Sequence, residues 1–212
     1  MPTSREELVA LTRDPAAFLD SADDMLRRMA VSALTAEQAV AHIETLQAMI
    51  EDTSEPVRTA VAETLSLAGS QSIESLRHLE RDNSETVREA VATAYGEVGD
   101  PAAITWLVEA AESDDNRQVR EAAVAALGSI GDQSAVDPLL ELIKSGPPQV
   151  RRRAIAAITV FDDPRIEPTI QRAALDRNPG VREAAEMVVG RQIQISEVRH
   201  QNPDTGNRKR ES

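Results

Sequence analysis

The sequence repeats itself with a period of about 31 residues, and this periodicity constrains the fold more than any other feature. An apolar residue followed by arginine recurs six times, with successive arginines 30 to 32 residues apart. The six pairs are Leu26-Arg27, Val57-Arg58, Val87-Arg88, Val119-Arg120, Val150-Arg151 and Val181-Arg182. A period of this length is typical of arrays in which each unit is one small supersecondary element stacked on its neighbours.

Each unit is predicted to be a pair of helices. In the fourth unit, Val119, Ala123 and Leu127 share one face of a 3.6-residue helix, and Gly131 can end that helix in a left-handed conformation. Asp100 precedes the first helix of the same unit, where a side-chain cap is needed. Neither helix can bury its apolar stripe within a single pair. The pairs must therefore stack, and the predicted fold is an all-α solenoid of about six helix pairs.

The repeat predicts where each unit begins and ends. The six units cover residues 4–34, 35–69, 70–99, 100–131, 132–162 and 163–200. Residues 201–212 have no apolar period and include Arg208-Lys209-Arg210, so we expect a disordered tail there.

Composition supports thin helical layers. The chain has one Trp, one Tyr and two Phe, too few for a β-sandwich or barrel, whose strands favour aromatic residues. The net charge is −13, which disfavours nucleic-acid binding because phosphate demands clustered positive charge. Only two of the 23 basic residues are lysines, a balance similar to that of salt-accumulating microbes such as halophilic archaea. The acidity either keeps the chain soluble in salt or steers basic partners to it.

Several functional classes are not expected. The chain has no cysteine, no apolar opening segment and no apolar run of membrane-spanning length, so a cytoplasmic protein without membrane contact is predicted. Its three histidines belong to no metal-binding motif, and no Gly-rich phosphate loop or nucleophile elbow is present. We therefore expect a monomer without metal, cofactor or catalytic residues.

The motifs of the repeat resemble a known family. The Val-Arg-x-Ala sequence, the turn Leu127-Gly128-Ser129-Ile130-Gly131-Asp132 and the Ala-x-x-x-Leu-Leu helix that follows resemble HEAT-like repeats of the short type first named for phycobilin lyases. The resemblance extends over about residues 25–189. The resemblance implies an armadillo-like α-solenoid. Members of this family range from lyases and hydroxylases to non-catalytic adaptors.

The recurring arginines are interpreted as a structural ladder with loop aspartates, because an Asp precedes the apolar residue by five positions in four repeats. We expected each carboxylate to bond the guanidinium at the start of the helix that follows it. The proposed ladder consists of Asp52, Arg58, Asp82, Arg88, Asp114, Arg120, Arg151, Asp176 and Arg182. The fifth repeat departs from the pattern, with Ser145 in place of Asp and Arg153 in place of Ala.

Candidate partner-binding residues lie one position after each of the six repeat arginines, where polar side chains would align along the second helices. Together with the irregular Arg153 and the single tryptophan, they are Arg28, Thr59, Glu89, Glu121, Arg152, Arg153, Glu183 and Trp106. The favoured function is a non-enzymatic scaffold or adaptor that binds another protein on this inner surface. The alternative is a phycobilin-lyase-like role in attaching or chaperoning a tetrapyrrole, against which the scarcity of aromatic side chains counts.

Overall fold

A computed structural model describes the backbone of residues 4–201 and the side chains of residues 4–190. Over this range the chain consists of α-helices joined by loops and short 3₁₀ turns. The helices are α1 Arg5–Arg13, α2 Asp24–Ser32, α3 Ala36–Ala41, α4 Ile43–Ala48, α5 Glu55–Leu65, α6 Ile73–Leu79, α7 Glu85–Val98, α8 Ile104–Ser113, α9 Arg117–Ile130, α10 Val136–Ser145, α11 Pro148–Ala157, α12 Ile166–Ala173 and α13 Pro179–Gln201. The predicted tail lies outside the described residues, except for Gln201 at the end of α13. The predicted all-α class, that of an α-solenoid, is confirmed.

The chain divides into two compact units, Met1–Ala135 and Val136–Ser212. In the first unit the second helices of successive repeats pack in order, α2 on α5, α5 on α7 and α7 on α9. The first helices α6 and α8 pack against the second helices of their own repeats, α7 and α9. The first helix of the second repeat is broken at His42, which separates α3 from α4.

Small and branched side chains fill the core of the first unit. Val57, Val87 and Val119 occupy equivalent positions, and each is fully buried. Alanines between them allow the helices to approach closely, which is why so few aromatic side chains suffice. Tyr95, which lies in register with Leu127 of the next repeat, is the largest fully buried side chain of this unit.

Helix ends follow the predicted local chemistry. The side chain of Asn116 accepts hydrogen bonds from the first N–H groups of α9, and Asp100 caps the 3₁₀ turn before α8. Gly99 and Gly131 end α7 and α9 with φ values of 72° and 67°, in the left-handed region that favours glycine.

The second unit repeats this arrangement with fewer helices. Its first helices α10 and α12 contact each other, and its second helices α11 and α13 do the same. Val150, Ile155 and Ile158 bury one face of the α11 segment, and Leu139 is fully buried on α10. The division into six repeats and a tail stays a prediction.

Candidate functional site

Bidentate Arg–Asp pairs join consecutive repeats. Arg58, in the first turn of α5, donates from Nε and Nη2 to the two carboxylate oxygens of Asp82 at 2.7 and 3.0 Å. Its Nη1 donates to the main-chain oxygen of Asp52 at 2.7 Å. Asp82 also accepts from the N–H of Ser84 at 2.8 Å. The same side-chain pattern joins three further pairs, Arg27–Asp52, Arg88–Asp114 and Arg151–Asp176.

The direction of this pairing differs from the expectation. Asp52 was expected to bond the guanidinium of Arg58, six residues later, through its carboxylate. Instead, Arg58 donates a hydrogen bond to the main-chain carbonyl oxygen of Asp52. The Asp52 carboxylate accepts hydrogen bonds of 2.8 and 2.9 Å from Arg27 of the preceding repeat. The carboxylate also accepts from Ser54 N–H, which fixes the loop and turns its oxygens toward the preceding repeat. Sequence reasoning left Arg27 out of the ladder, although the Leu26-Arg27 pair carries the repeat signal.

Pairing sets the charge states of these groups. The hydrogen bonds from Arg27 lower the pKa of Asp52 below its usual value, despite the opposing effect of burial. Burial would raise the pKa of Asp82, but the hydrogen bonds from Arg58 and from Ser84 N–H outweigh it and leave the pKa lowered. The hydrogen bond to Asp82 raises the pKa of Arg58. Both partners therefore stay ionised at neutral pH.

Arg120 lacks such a carboxylate partner among the described residues. Its Nη1 donates to the carbonyl oxygens of Asp114 and Asp115, but its buried Nε has no hydrogen-bond acceptor. One period later the sequence has Ser145 where the other repeats have Asp. In the last repeat, Arg182 donates to the Asp176 carbonyl oxygen at 2.8 Å.

The candidate row of the first unit lies along consecutive second helices. Arg28 is exposed on α2, and Thr59, Glu89 and Glu121 are half-buried on α5, α7 and α9. Each is the residue after a repeat arginine, so the packing of the second helices carries the row from one repeat to the next. Glu121 accepts from Arg117 at 2.6 Å.

The solvent-facing sides of α5 and α7 carry negative charge that no described residue neutralises by an ion pair. The carboxylates concerned are Glu55, Glu63, Glu85, Glu89 and Glu97, all half-buried or exposed. The two arginines of these helices, Arg58 and Arg88, are held by the ladder aspartates. This acidic face, defined by the five glutamates, can therefore accept cations from outside the chain.

In the second unit the predicted residues are exposed. Arg152 and Arg153 lie on α11 and Glu183 lies on α13, and none of the three forms an ion pair with a described residue. Arg151 is instead engaged with Asp176, so only two of the three consecutive arginines are available to solvent.

Trp106 lies away from the row, on a first helix. Its half-buried indole meets the ring of Tyr95 edge to face, with centroids 5.7 Å apart and an interplanar angle of 63°. The hydroxyl of Tyr95 donates to Glu80 at 2.6 Å. Sequence reasoning identified Trp106 but missed Glu80, because the Tyr95–Glu80 contact joins residues 15 positions apart and depends on how the helices of one repeat pack.

The described residues hold no group of three or more histidine, aspartate or glutamate side chains arranged to bind a metal ion. Within that same part of the chain, no helix combines the length and the apolar character needed to cross a bilayer.

Comparisons with known proteins agree with the repeat. The model of the HEAT repeats matches residues 12–94, 73–157 and 136–199. No curated protein matches this chain.

Solved structures share the fold at low sequence identity. The complex of CpcE and CpcF of phycocyanin lyase from Nostoc sp. PCC7120 is 20% identical, with a TM-score of 0.57 over 70% of this chain and 98% of that chain. A designed armadillo repeat protein in complex with the peptide (KR)4 is 18% identical, with a TM-score of 0.57 over 85% and 98%. Computationally designed armadillo repeat proteins for modular peptide recognition are 19% identical, with a TM-score of 0.53 over 85% and 98%. Since the family model matches nearly the whole chain, the protein belongs to the HEAT repeats family.

Proposed function

We propose that this protein is a non-enzymatic scaffold that binds another protein on the solvent-facing side of its second helices. The observation that carries the proposal is the row of polar side chains repeated on α2, α5, α7 and α9. A partner in extended conformation could contact one repeat after another along such a row. In the second unit, the exposed Arg152, Arg153 and Glu183 are the corresponding candidate residues.

The Arg–Asp ladder supports this role because it holds the binding residues on rigid elements. Each ladder arginine immediately precedes a row residue. Arg58, for example, is fixed by three hydrogen bonds. The backbone that carries the row is therefore held in place before a partner binds, and this preorganisation favours affinity.

The acidic face indicates the chemistry of the partner. Glu55, Glu85 and Glu89 have no described cation partner, so a lysine- or arginine-rich segment would gain direct ion pairs there. Two structural neighbours, designed for peptide recognition or bound to (KR)4, have the same fold and make an extended basic peptide a reasonable occupant.

The proposal can be tested with a capped, fluorescently labelled octapeptide of alternating lysine and arginine, by fluorescence anisotropy at low salt. The variant Glu55→Gln/Glu85→Gln/Glu89→Gln should bind about tenfold more weakly, since three surface ion pairs of about 0.5 kcal/mol each are lost. A matched variant removes the same charge from exposed positions elsewhere in the first unit, Glu37→Gln/Glu44→Gln/Glu112→Gln.

The matched variant should change the affinity by less than about threefold, because it alters only the long-range field. Equal weakening by both variants would mean that the peptide responds to net charge and that the acidic face is not the site.

The finer assignments follow from the sequence pattern. We infer the short repeat type first named for phycobilin lyases, and a cytoplasmic monomer that binds no nucleic acid. The shortage of lysine supports a salt-rich cell interior, where the acidity keeps the chain soluble and only direct contacts within a Debye length of about 3 Å attract a partner.

The tetrapyrrole alternative draws on the likeness to the phycocyanin lyase complex, which at 20% identity concerns the fold. An absorbance titration with a linear tetrapyrrole separates the two functions. A saturable spectral shift would favour the lyase-like role, and the scaffold proposal predicts none.

A further inference from the structure

A cleft of about 440 Å³ lies on the first-helix side of the first unit, between α6 with its following loop and α8. Its walls include Arg77, Glu80, Arg81, Trp106 and Glu109. None of these side chains belongs to the candidate row, and only Trp106 is among the predicted partner-binding residues. The cleft is large enough for one long side chain and adjoining backbone.

The buried Tyr95 holds two side chains of this cleft in place, the indole of Trp106 and the carboxylate of Glu80. Tyr95 is fully buried, and its ring positions Trp106 through the edge-to-face contact. The Tyr95 hydroxyl fixes Glu80 through a hydrogen bond of 2.6 Å. A half-exposed aromatic ring beside an oriented carboxylate is a preorganised arrangement for a cation.

The charges of the lining residues leave a deficit of positive charge. Asp114 is neutralised by Arg88, and Arg77 is engaged by Glu74 at 3.1 Å. The remaining charged side chains of the lining are Glu80 and Glu109, which are negative, and Arg81, which is positive and forms no described ion pair. One negative charge is therefore uncompensated, on a chain of net charge −13.

Burial raises the pKa of Glu80, and the nearby charge of Glu109 adds to the effect although Tyr95, Arg77 and Arg81 oppose it. The ionised carboxylate of Glu80 is thus incompletely stabilised by its surroundings. A cation bound in the cleft would stabilise the ionised carboxylate of Glu80.

We infer that this cleft binds an arginine side chain of a protein partner, with its guanidinium stacked on Trp106 and donating to Glu80 and Glu109. Arginine suits the site better than lysine because its planar fork can stack on an aromatic face and donate to two carboxylates at once. The contact is independent of the row on the second helices, so it adds a second recognition point to the proposed scaffold.

The chain reports on this site directly because Trp106 is its only tryptophan. Intrinsic fluorescence can be followed during titration with the capped peptide acetyl-Gly-Arg-Gly-amide, with the corresponding Lys, Gln and Glu peptides as comparisons. We expect a saturable change in emission with the Arg peptide, a weaker affinity for the Lys peptide and no saturable change with the other two. No saturable response to the Arg peptide, or an equal response to the Glu peptide, would overturn the inference.

Three variants test the geometry. Glu109→Gln should weaken binding about tenfold, the loss of one charge-assisted hydrogen bond of about 1.4 kcal/mol. Arg81→Ala should strengthen binding about threefold, because it removes the one positive side chain of the lining that forms no described ion pair. Glu112→Gln, on the same helix but outside the lining, is the matched control and should change little.

Thermal melts verify that each variant is folded. An affinity that Glu109→Gln leaves intact, or that Arg81→Ala lowers, rejects the proposed site. The glutamine variants of the acidic face should leave this fluorescence response unchanged, so failure of the cleft and failure of the row can be told apart.

Discussion

Replacement of Arg58 by methionine tests the role of the ladder in stability. The Arg58 and Asp82 side chains are only 17% and 8% exposed, and their bidentate bonds are 2.7 and 3.0 Å long. Arg58→Met preserves most of the aliphatic volume but leaves the Asp82 carboxylate with the Ser84 N–H. We expect a loss of about 3 kcal/mol in the free energy of unfolding at pH 7. This value is at the lower end of the usual cost of removing one partner of a buried ion pair.

Arg120→Met is the matched control, because Arg120 is the corresponding residue two repeats later and has no described carboxylate partner. It loses only hydrogen bonds to main-chain carbonyls, so we expect a cost of about 1 kcal/mol. Urea unfolding followed by circular dichroism measures both costs. Similar costs for the two variants would refute the argument that the ion pair, and not arginine packing, stabilises the repeat.

The effect must also depend on pH in a defined direction. The pKa of Asp82 is lowered in the folded wild type, so its stabilising contribution is present above the usual Asp pKa of about 3.9 and is lost as the pH falls through the folded value. In Arg58→Met, burial acts on Asp82 without that guanidinium. The difference between wild type and variant should therefore narrow as the pH falls from the Asp82 pKa of the folded variant to the lower Asp82 pKa of the folded wild type, and a constant difference would contradict the assignment.

Three further perturbations have defined outcomes in unfolding experiments. Gly99→Ala should destabilise by about 1 kcal/mol because φ is 72° there. Gly190→Ala lies within α13, where no described atom is near the added methyl group, and should stabilise by about 0.5 kcal/mol; changes of the same sign at both positions would contradict this. Tyr95→Phe should cost about 1.5 kcal/mol at pH 7, since Glu80 loses its hydroxyl donor, and a neutral effect would show that Glu80 is solvated. Raising KCl from about 0.1 to 2 M should raise the melting temperature because it screens the self-repulsion of a chain of charge −13, and a falling melting temperature would argue against this.

The repeat made the fold class predictable because its signals are local. Apolar periodicity, the glycine at position 131 and the cap at Asp100 each depend on residues a few positions apart. Val119 and Leu127, which the periodicity placed on one apolar face, are both fully buried.

The ladder could not be predicted in full because its spacing is ambiguous. An aspartate such as Asp52 lies six residues before one arginine and 25 residues after another, and a strict repeat always offers both partners. Loop geometry decides between them. The Trp106 cleft was missed for a related reason, since Glu80 and Trp106 come from adjacent repeats and meet only through packing.

The second helices of the first unit are proposed to form the partner-binding face. Amide NMR of the ¹⁵N-labelled protein, titrated with the alternating lysine–arginine octapeptide, tests it most directly. We expect saturable shifts along α5 and α7, at residues 55–63 and 85–97, that require about tenfold more peptide to saturate in the glutamine variant of the acidic face. Shifts confined to α3 and α4, or shifts that never saturate, would contradict the account.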